Sequence, residues 1–295
     1  MNRAIRPRRT VLAGLGVATL AAATSACATT APYAGGAVSG TAKTVKVVAA
    51  ENFWGSIAQQ LGGSHADVTS IITNPATDPH DYEPTPADGR AVAGSQLAIV
   101  NGIGYDAWAD KLLASNAGVG RSEINVGDLV SVKPGGNPHR WYDPDNVRQV
   151  IDKITDDYKK ADPADAAYFD AQKNTYLAKT LAPYTKLIAG IRAKYAGIPI
   201  GASESIVTPL AEGLGLTMAT PESFLDAISE GSDPTAHDKA TIDRQIKNKQ
   251  IKIYVYNSQN STPDVQAQVA EAKAQGIPVV SVTETLAPAG SSFQD

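Results

Sequence analysis

The residues in this chain with the most evident capacity for chemistry are two histidines in matching settings. Asp78-Pro79-His80 runs on through Tyr82, Glu83 and Pro84, and Asn137-Pro138-His139 runs on through Trp141, Asp143 and Pro144. In each, a proline fixes the backbone ahead of the histidine, an aromatic residue stands two positions after it, and a carboxylate and a proline close the segment. The imidazole is thereby held on a stiff, turn-rich loop. A single loop histidine is ordinarily a solvated surface group, but two of only four histidines share this pattern. Neutral imidazoles presented twice on rigid loops point to a metal site.

The elements that must position these loops alternate between strand and helix. Residues 44–50, 67–73, 96–100 and 122–126 read as strands, with helices at 54–61, 86–94 and 105–114 between them. The second strand leads into the His80 loop, the third ends at Asn101, and the fourth precedes the His139 loop. A further helix starts at Pro144, where Asp143 can cap it. Residues 162–196 are helix-compatible and predict one long connector, with Pro183 imposing a kink near Thr180 or making two helices meet there. A connector of this kind resists hinge bending, so small lobe movements are expected. The alternation then resumes. Strands are predicted at 198–202, beside Glu204, at 216–220, at 251–256, ending at Asn257, and at 277–282, beside Glu284, with helices at 206–213, 234–248 and 263–274. The expected fold is therefore α/β: two lobes, residues 44–161 and 197–295, each a mostly parallel four-stranded sheet covered by helices, joined by one long connecting helix.

In open α/β sheets, ligands bind in the crevice beyond the carboxyl ends of the strands. His80, His139, Glu204 and Glu284 all fall there on this reading, two from each lobe, and only the fold could assemble them. Glutamates on loops are normally solvated, and it is the placement of Glu204 and Glu284 that makes them candidates. Two imidazoles and two carboxylates suit Zn²⁺, Mn²⁺ or Fe²⁺ and poorly suit Cu⁺, which prefers sulfur. His65 and His237 read as surface groups, and Trp54, Trp108 and Trp141 as packing residues.

Composition narrows the class. A net charge of -4 over 295 residues, with no basic stripe, argues against nucleic-acid binding. At the N-terminus, Arg3, Arg6, Arg8 and Arg9 precede an apolar run at 11–23, and Thr24, Ser25 and Ala26 lead to Cys27. Residues 1–26 have the layout of a secretory signal, and the run is too short to span a bilayer comfortably. Arg8-Arg9 also suits a twin-arginine export route. Cys27 is the only cysteine, which precludes an intrachain disulfide, and it stands where bacterial lipoproteins carry their acylated cysteine. Thr24 stands where the usual lipobox has leucine. Residues 27–43, rich in Ala, Thr, Gly and Ser, read as a flexible tether.

These motifs resemble those of a known family, the metal-binding lipoproteins that serve as solute receptors for bacterial zinc and manganese ABC importers. The likeness covers nearly all of the chain after the signal. It rests most specifically on Asp78-Pro79-His80 with Tyr82-Glu83-Pro84, and on Asn137-Pro138-His139 with Trp141 and Asp143-Pro144. The resemblance implies that His80 and His139 are the N-lobe ligands and that Ser203-Glu204 holds the third, where manganese-type members place glutamate. It implies a fourth carboxylate after the last C-lobe strand, where the family usually has aspartate and this chain has Glu284. It also implies a monomeric receptor, anchored by lipid to the outer face of the cytoplasmic membrane, that passes Zn²⁺ or Mn²⁺ to an ABC permease. The chain lacks the His-rich loop common in zinc-type members, and it stops at Asp295 where the family usually has a further helix, so a truncated C-terminus is expected.

Four protein ligands leave no open position for water or substrate, which argues against catalysis. The rivals are a secreted metal-dependent hydrolase, disfavoured because no HExxH, GxSxG or nucleophilic cysteine pattern is present, and a metal-free adhesin or structural lipoprotein, which would have to explain the twin histidine motifs as loop stiffening alone.

Overall fold

The first strand is buried on both faces. In β1 (Val45–Glu51), Val45, Val47 and Ala49 point to one side while Val48 and Ala50 point to the other, and all five lie in the core. A strand apolar on both sides needs a layer of helices on each, which is the arrangement of a covered parallel sheet. The computed structural model describes residues 44–80 and 82–295, so the signal, the tether and Cys27 lie outside the described residues.

The N-lobe comprises β1, α1 (Asn52–Gly62), β2 (Ala66–Ile72), α2 (Pro86–Gly94), β3 (Leu97–Val100), α3 (Ala107–Ser115), β4 (Ser122–Asn125), α4 (Val126–Leu129) and α5 (Pro144–Ala161). Its strands lie in the order β2-β1-β3-β4, all parallel. One face packs Phe53, Trp54, Ile57 and Leu61 of α1 against Ile151, Ile154 and Tyr158 of α5. The other packs Val92 of α2 and Trp108 and Leu113 of α3.

The connecting segment is helical along nearly all of its length, in pieces. A short 3₁₀ turn leads into α6 (Ala166–Thr175), a π turn follows at Tyr176–Thr180, and α7 (Ala182–Tyr195) completes it. The break lies where Pro183, which has no amide proton to donate, disturbs the helical ladder, and the Leu181 amide bonds the Tyr176 carbonyl instead.

The C-lobe repeats the N-lobe plan. It contains β5 (Pro199–Ala202), α8 (Thr208–Gly213), β6 (Thr217–Met218), α9 (Glu222–Ser229), α10 (Ala236–Lys247), β7 (Tyr254–Asn257), α11 (Pro263–Ala274) and β8 (Val279–Val282). Its order, β6-β5-β7-β8, is also all parallel. Helix α9, unplaced by sequence reading, buries Phe224, Leu225 and Ile228 in the core with Ile242 and Ile246 of α10. Strand order reverses between β1 and β3 and between β5 and β7, and a crevice opens beyond the strand ends at each reversal. Among the described residues, no helix is long and apolar enough to cross a membrane.

Candidate metal centre

The repeated sequence motif is a repeated turn. The backbone amide of His80 donates to Asp78 Oδ1 at 2.9 Å, and that of His139 donates to Asn137 Oδ1 at 3.0 Å. In both loops the side chain two residues earlier closes an Asx turn around the proline. Both proline carbonyls are also pinned from the sheet side: Trp108 Nε1 donates to the Pro79 carbonyl at 3.0 Å, and Asn101 Nδ2 to the Pro138 carbonyl at 2.9 Å. Asn101 is oriented in turn by Trp54 Nε1, which donates to its Oδ1 at 3.2 Å.

His139 is buried, and its ring orientation is fixed. Asn137 Nδ2 donates to the Ser205 carbonyl at 2.8 Å, which fixes the amide so that its oxygen faces the His139 ring, 2.8 Å from Nδ1. An acceptor there holds the proton on Nδ1 and leaves the Nε2 lone pair toward the cleft. His80 is exposed at the cleft mouth, its ring 4.6 Å from that of Tyr105.

The carboxylates come from the other lobe. Glu204 follows β5 and Glu284 follows β8. Asn257, the last residue of β7, donates from Nδ2 to Glu204 Oε1 at 2.6 Å and to Glu284 Oε1 at 3.0 Å. Asn260 Nδ2 donates to Glu204 Oε2 at 2.9 Å. Tyr105 reaches across from the N-lobe and donates its hydroxyl to Glu284 Oε2 at 2.9 Å. The turn that aims it is strained: Gly102, Ile103 and Gly104 all have positive φ, and at 63° Ile103 holds a conformation that β-branched residues avoid.

Burial, and then the charge of Glu284, push Glu204 up to about 8. Burial also acts to raise Glu284, but its contact with the His139 ring and the hydrogen bond from Tyr105 outweigh it, and the net direction is down. Burial keeps the Tyr105 phenol neutral, and therefore a donor. At neutral pH the pair thus holds one proton, on Glu204, which an incoming cation would displace.

His80, His139, Glu204 and Glu284 line one cleft of about 1270 Å³ between the lobes. His139 Nε2 and Glu284 Oε2 stand 3.5 Å apart. Two ligands of one tetrahedral ion stand about 3.4 Å apart when metal–ligand bonds are about 2.0–2.2 Å, so this pair is already spaced as a half-site. Among the described residues, no three His, Cys, Asp or Glu side chains form a ready-made cage; His80 is exposed, against the ring of Tyr105.

Sequence reading did not single out Tyr105, Asn257, Gln259 or Asn260. The last three belong to the run Asn257-Ser258-Gln259-Asn260 directly after a strand, and a concentration of amides at a strand's carboxyl end was the available signal. His65 is not the simple surface group expected: it is half-buried, 2.8 Å from Asp165 Oδ2, and stacked on Tyr168 at 3.8 Å. His237 is exposed. The three tryptophans are buried, and Trp54 and Trp108 also brace the histidine loops through their indole N–H groups.

Residues 47–295 match a family described as ZnuA, zinc-uptake complex component A, periplasmic. The manganese-binding lipoprotein MntA of Halalkalibacterium halodurans is 30% identical over 138 residues, 45% of this chain and 45% of that protein. The iron-binding protein YfeA of Yersinia pestis is 32% identical over 167 residues, 55% of this chain and 52% of that protein. The chain thus spans about half the length of these two relatives. Among solved structures, a Mn-bound periplasmic metal-binding protein from Candidatus Liberibacter asiaticus superposes with a TM-score of 0.69 at 20% identity, covering 85% of this chain and 94% of that one. With two parallel sheets facing one cleft, and a family match running from the first strand to the last residue, the chain belongs to the ZnuA family of periplasmic metal-uptake components.

Proposed function

We propose that this chain is an extracytoplasmic receptor that captures one divalent transition-metal ion, Zn²⁺ or Mn²⁺, in the interlobe cleft and delivers it to the permease of an ABC importer. The observation that carries this reading is the half-site made by His139 and Glu284, two residues from different lobes held 3.5 Å apart with an imidazole lone pair facing a carboxylate oxygen. The ion enters between these two atoms and exchanges their mutual contact for a bond to each. Glu204 then supplies a third ligand as its proton leaves, and the His80 loop turns inward to supply the fourth.

Closure by the loop suits the rest of the molecule. The lobes are tied by Tyr142 to the Thr283 carbonyl at 2.9 Å, by Asn137 to the Ser205 carbonyl at 2.8 Å and by the Leu286 amide to Asn52 at 3.0 Å. Rigid lobes with one mobile ligand favour release as well as capture, because withdrawing His80 opens the site without breaking the frame. Four protein ligands leave no position for an attacking water, so the metal is cargo and the protein does not turn over substrate. Its relatives are named for manganese and iron and its family for zinc. The carboxylates favour hard Mn²⁺, while Zn²⁺ stands higher in the Irving–Williams order. Acylation at Cys27 would hold the receptor, as a monomer, beside its permease.

The test is elemental analysis of the mature protein, purified from its native envelope without chelator, beside the His80→Ala/His139→Ala double variant. One equivalent of zinc or manganese, lost in the variant, is expected. A folded protein that carries no metal and takes up none by calorimetry would overturn the reading.

A further inference from the structure

Asn257 occupies the C-lobe crevice where strand order reverses, is 1% exposed, and touches both carboxylates of the candidate site. Its orientation is fixed by chemistry. The Gln259 backbone amide lies 2.9 Å from Asn257 Oδ1 and can only donate, so the oxygen must face Gln259 and the NH₂ group must face the glutamates. The two protons of one NH₂ diverge, and here each goes to a different carboxylate. The Asn257 backbone amide donates to Ser203 Oγ at 3.2 Å, which ties the same residue to the strand end that presents Glu204.

This arrangement divides the work between the oxygens. Glu284 Oε1 is engaged by Asn257, while Oε2 accepts from the Tyr105 hydroxyl and faces His139 Nε2. For Glu284 to grip an ion with both oxygens, Oε1 would have to share its lone pairs between the ion and Asn257 and shift toward the ion against that bond. Glu204 is held likewise, Oε1 by Asn257 and Oε2 by Asn260. Bidentate carboxylates raise the coordination number, which suits ions that take six oxygen-rich ligands, whereas single-oxygen contacts suit a tetrahedral ion. A neutral amide also brings the two carboxylates together without the positive charge that would repel a cation.

We propose that Asn257 is a specificity-determining positioning residue: by occupying Oε1 of each glutamate it favours ligation through Oε2 alone, Glu204 Oε2 exchanging its bond from Asn260 for the ion, and so biases the site toward four-coordinate Zn²⁺ over Mn²⁺. The inference rests on the metal-receptor reading above.

The experiment compares the mature wild-type protein with Asn257→Leu, which keeps the volume and removes the donors, and Asn257→Ala. Affinities for Zn²⁺ and for Mn²⁺, each alone, are measured by chelator competition. The ratio of the Mn²⁺ to the Zn²⁺ dissociation constant is expected to fall about tenfold in both variants, the effect of one charge-assisted hydrogen bond at the low end of its range. An equal weakening of both ions, or an unchanged ratio, would overturn the proposal and leave Asn257 a structural residue. X-ray absorption on wild-type protein loaded with Zn²⁺ supplies a readout that needs no variant to fold: four-coordinate zinc with single-oxygen glutamates is expected, and five or six ligands would refute it. A wild-type protein that binds neither ion fails the receptor reading itself; one that binds both with a ratio indifferent to Asn257 fails only this inference.

Discussion

Glu51 closes β1 at the crevice end of the N-lobe sheet, and it is fully buried. Neither of its oxygens receives a hydrogen bond. Its neighbour is Asp106, whose carboxylate accepts the Asn101 and Gly102 amides at 2.7 Å each. Burial and the charge of Asp106 raise Glu51 well above the usual carboxylate range, while burial brings Asp106 only to about 6, because those backbone amides and a hydrogen bond from Glu51 favour its ionised form. Above that pH Asp106 is ionised while Glu51, raised further, keeps its proton. In the unfolded chain Glu51 is ionised from about pH 5 upward. Its folded value is raised, so the stability it contributes is present in acid and lost as pH rises, and unfolding releases one proton. One proton corresponds to about 1.4 kcal/mol for each pH unit over which the folded Glu51 stays protonated. Glu51→Gln keeps a donor toward Asp106 and removes the proton. The stability of the variant should therefore gain on wild type by about 1.4 kcal/mol per pH unit as pH rises from about 6, equivalent to roughly 3–6 °C in Tm per unit for a domain of this size. The assay is thermal unfolding of both proteins with chelator present at a series of pH values. Ionisable groups other than Glu51 are common to both proteins and cancel in the difference. Parallel curves would show that Glu51 is ionised in the native state, and would refute the reasoning.

Three further outcomes follow from single contacts. Asn101→Ala leaves the buried Trp54 indole N–H and the Pro138 carbonyl without partners; at about 1–3 kcal/mol for each orphaned group, it should lower stability in denaturant by about 2–4 kcal/mol and weaken metal binding by loosening the His139 loop. Trp108→Phe removes the bond to the Pro79 carbonyl; it should cost about 1 kcal/mol of stability and raise the metal dissociation rate in stopped-flow chelation, while Trp108 variants with unchanged release would disconnect that anchor from His80. Gln259 donates to the Pro75 carbonyl and to Thr285 Oγ1, and accepts from the Glu284 and Thr285 amides, so it straps the His80 loop to the Glu284 loop. Gln259→Ala should accelerate metal release more than it slows capture, and equal changes in both rates would count against a strap.

What the sequence disclosed, and what it concealed, follows from how far each signal reaches. The twin histidine loops were legible because an Asx turn is local: Asp78 or Asn137, a proline and the histidine amide lie within three residues, and residue types alone specify the geometry. The first strand was legible because burial on both faces favours β-branched residues, as at Val45, Val47 and Val48. Helix α9 escaped because its apolar stripe is only Phe224, Leu225 and Ile228, closely flanked by Pro221 and Gly231, and so short a run carries little periodicity. Glu51 escaped because a carboxylate ending a strand ordinarily faces water, and only its position at the reversal between β1 and β3 places it under a covered crevice.

The amides were concealed for a deeper reason. Asn101 and Asn257 stand at the end of the third strand of their respective lobes, each beside the reversal of strand order, and each spends its side chain on ligand-bearing segments. The sequence around them differs: Asn101 leads into a strained glycine turn and Asn257 into three more polar residues. Their equivalence exists only once both sheets are ordered 2-1-3-4. In the N-lobe the asparagine meets the backbone behind His139, because an imidazole is oriented by its loop and by one acceptor. In the C-lobe it meets the carboxylates themselves, because two glutamates brought together in a buried crevice need donors before a cation arrives. The same position in the same topology thus serves a candidate nitrogen ligand in one lobe and two candidate oxygen ligands in the other. Exchanging the two, Asn101→Asp against Asn257→Asp, should separate them: the first places a carboxylate against the Pro138 carbonyl and should chiefly cost stability, whereas the second adds a third negative charge beside Glu204 and Glu284 and should chiefly make metal binding more dependent on pH. Equal effects of the two on stability and on binding would refute that division.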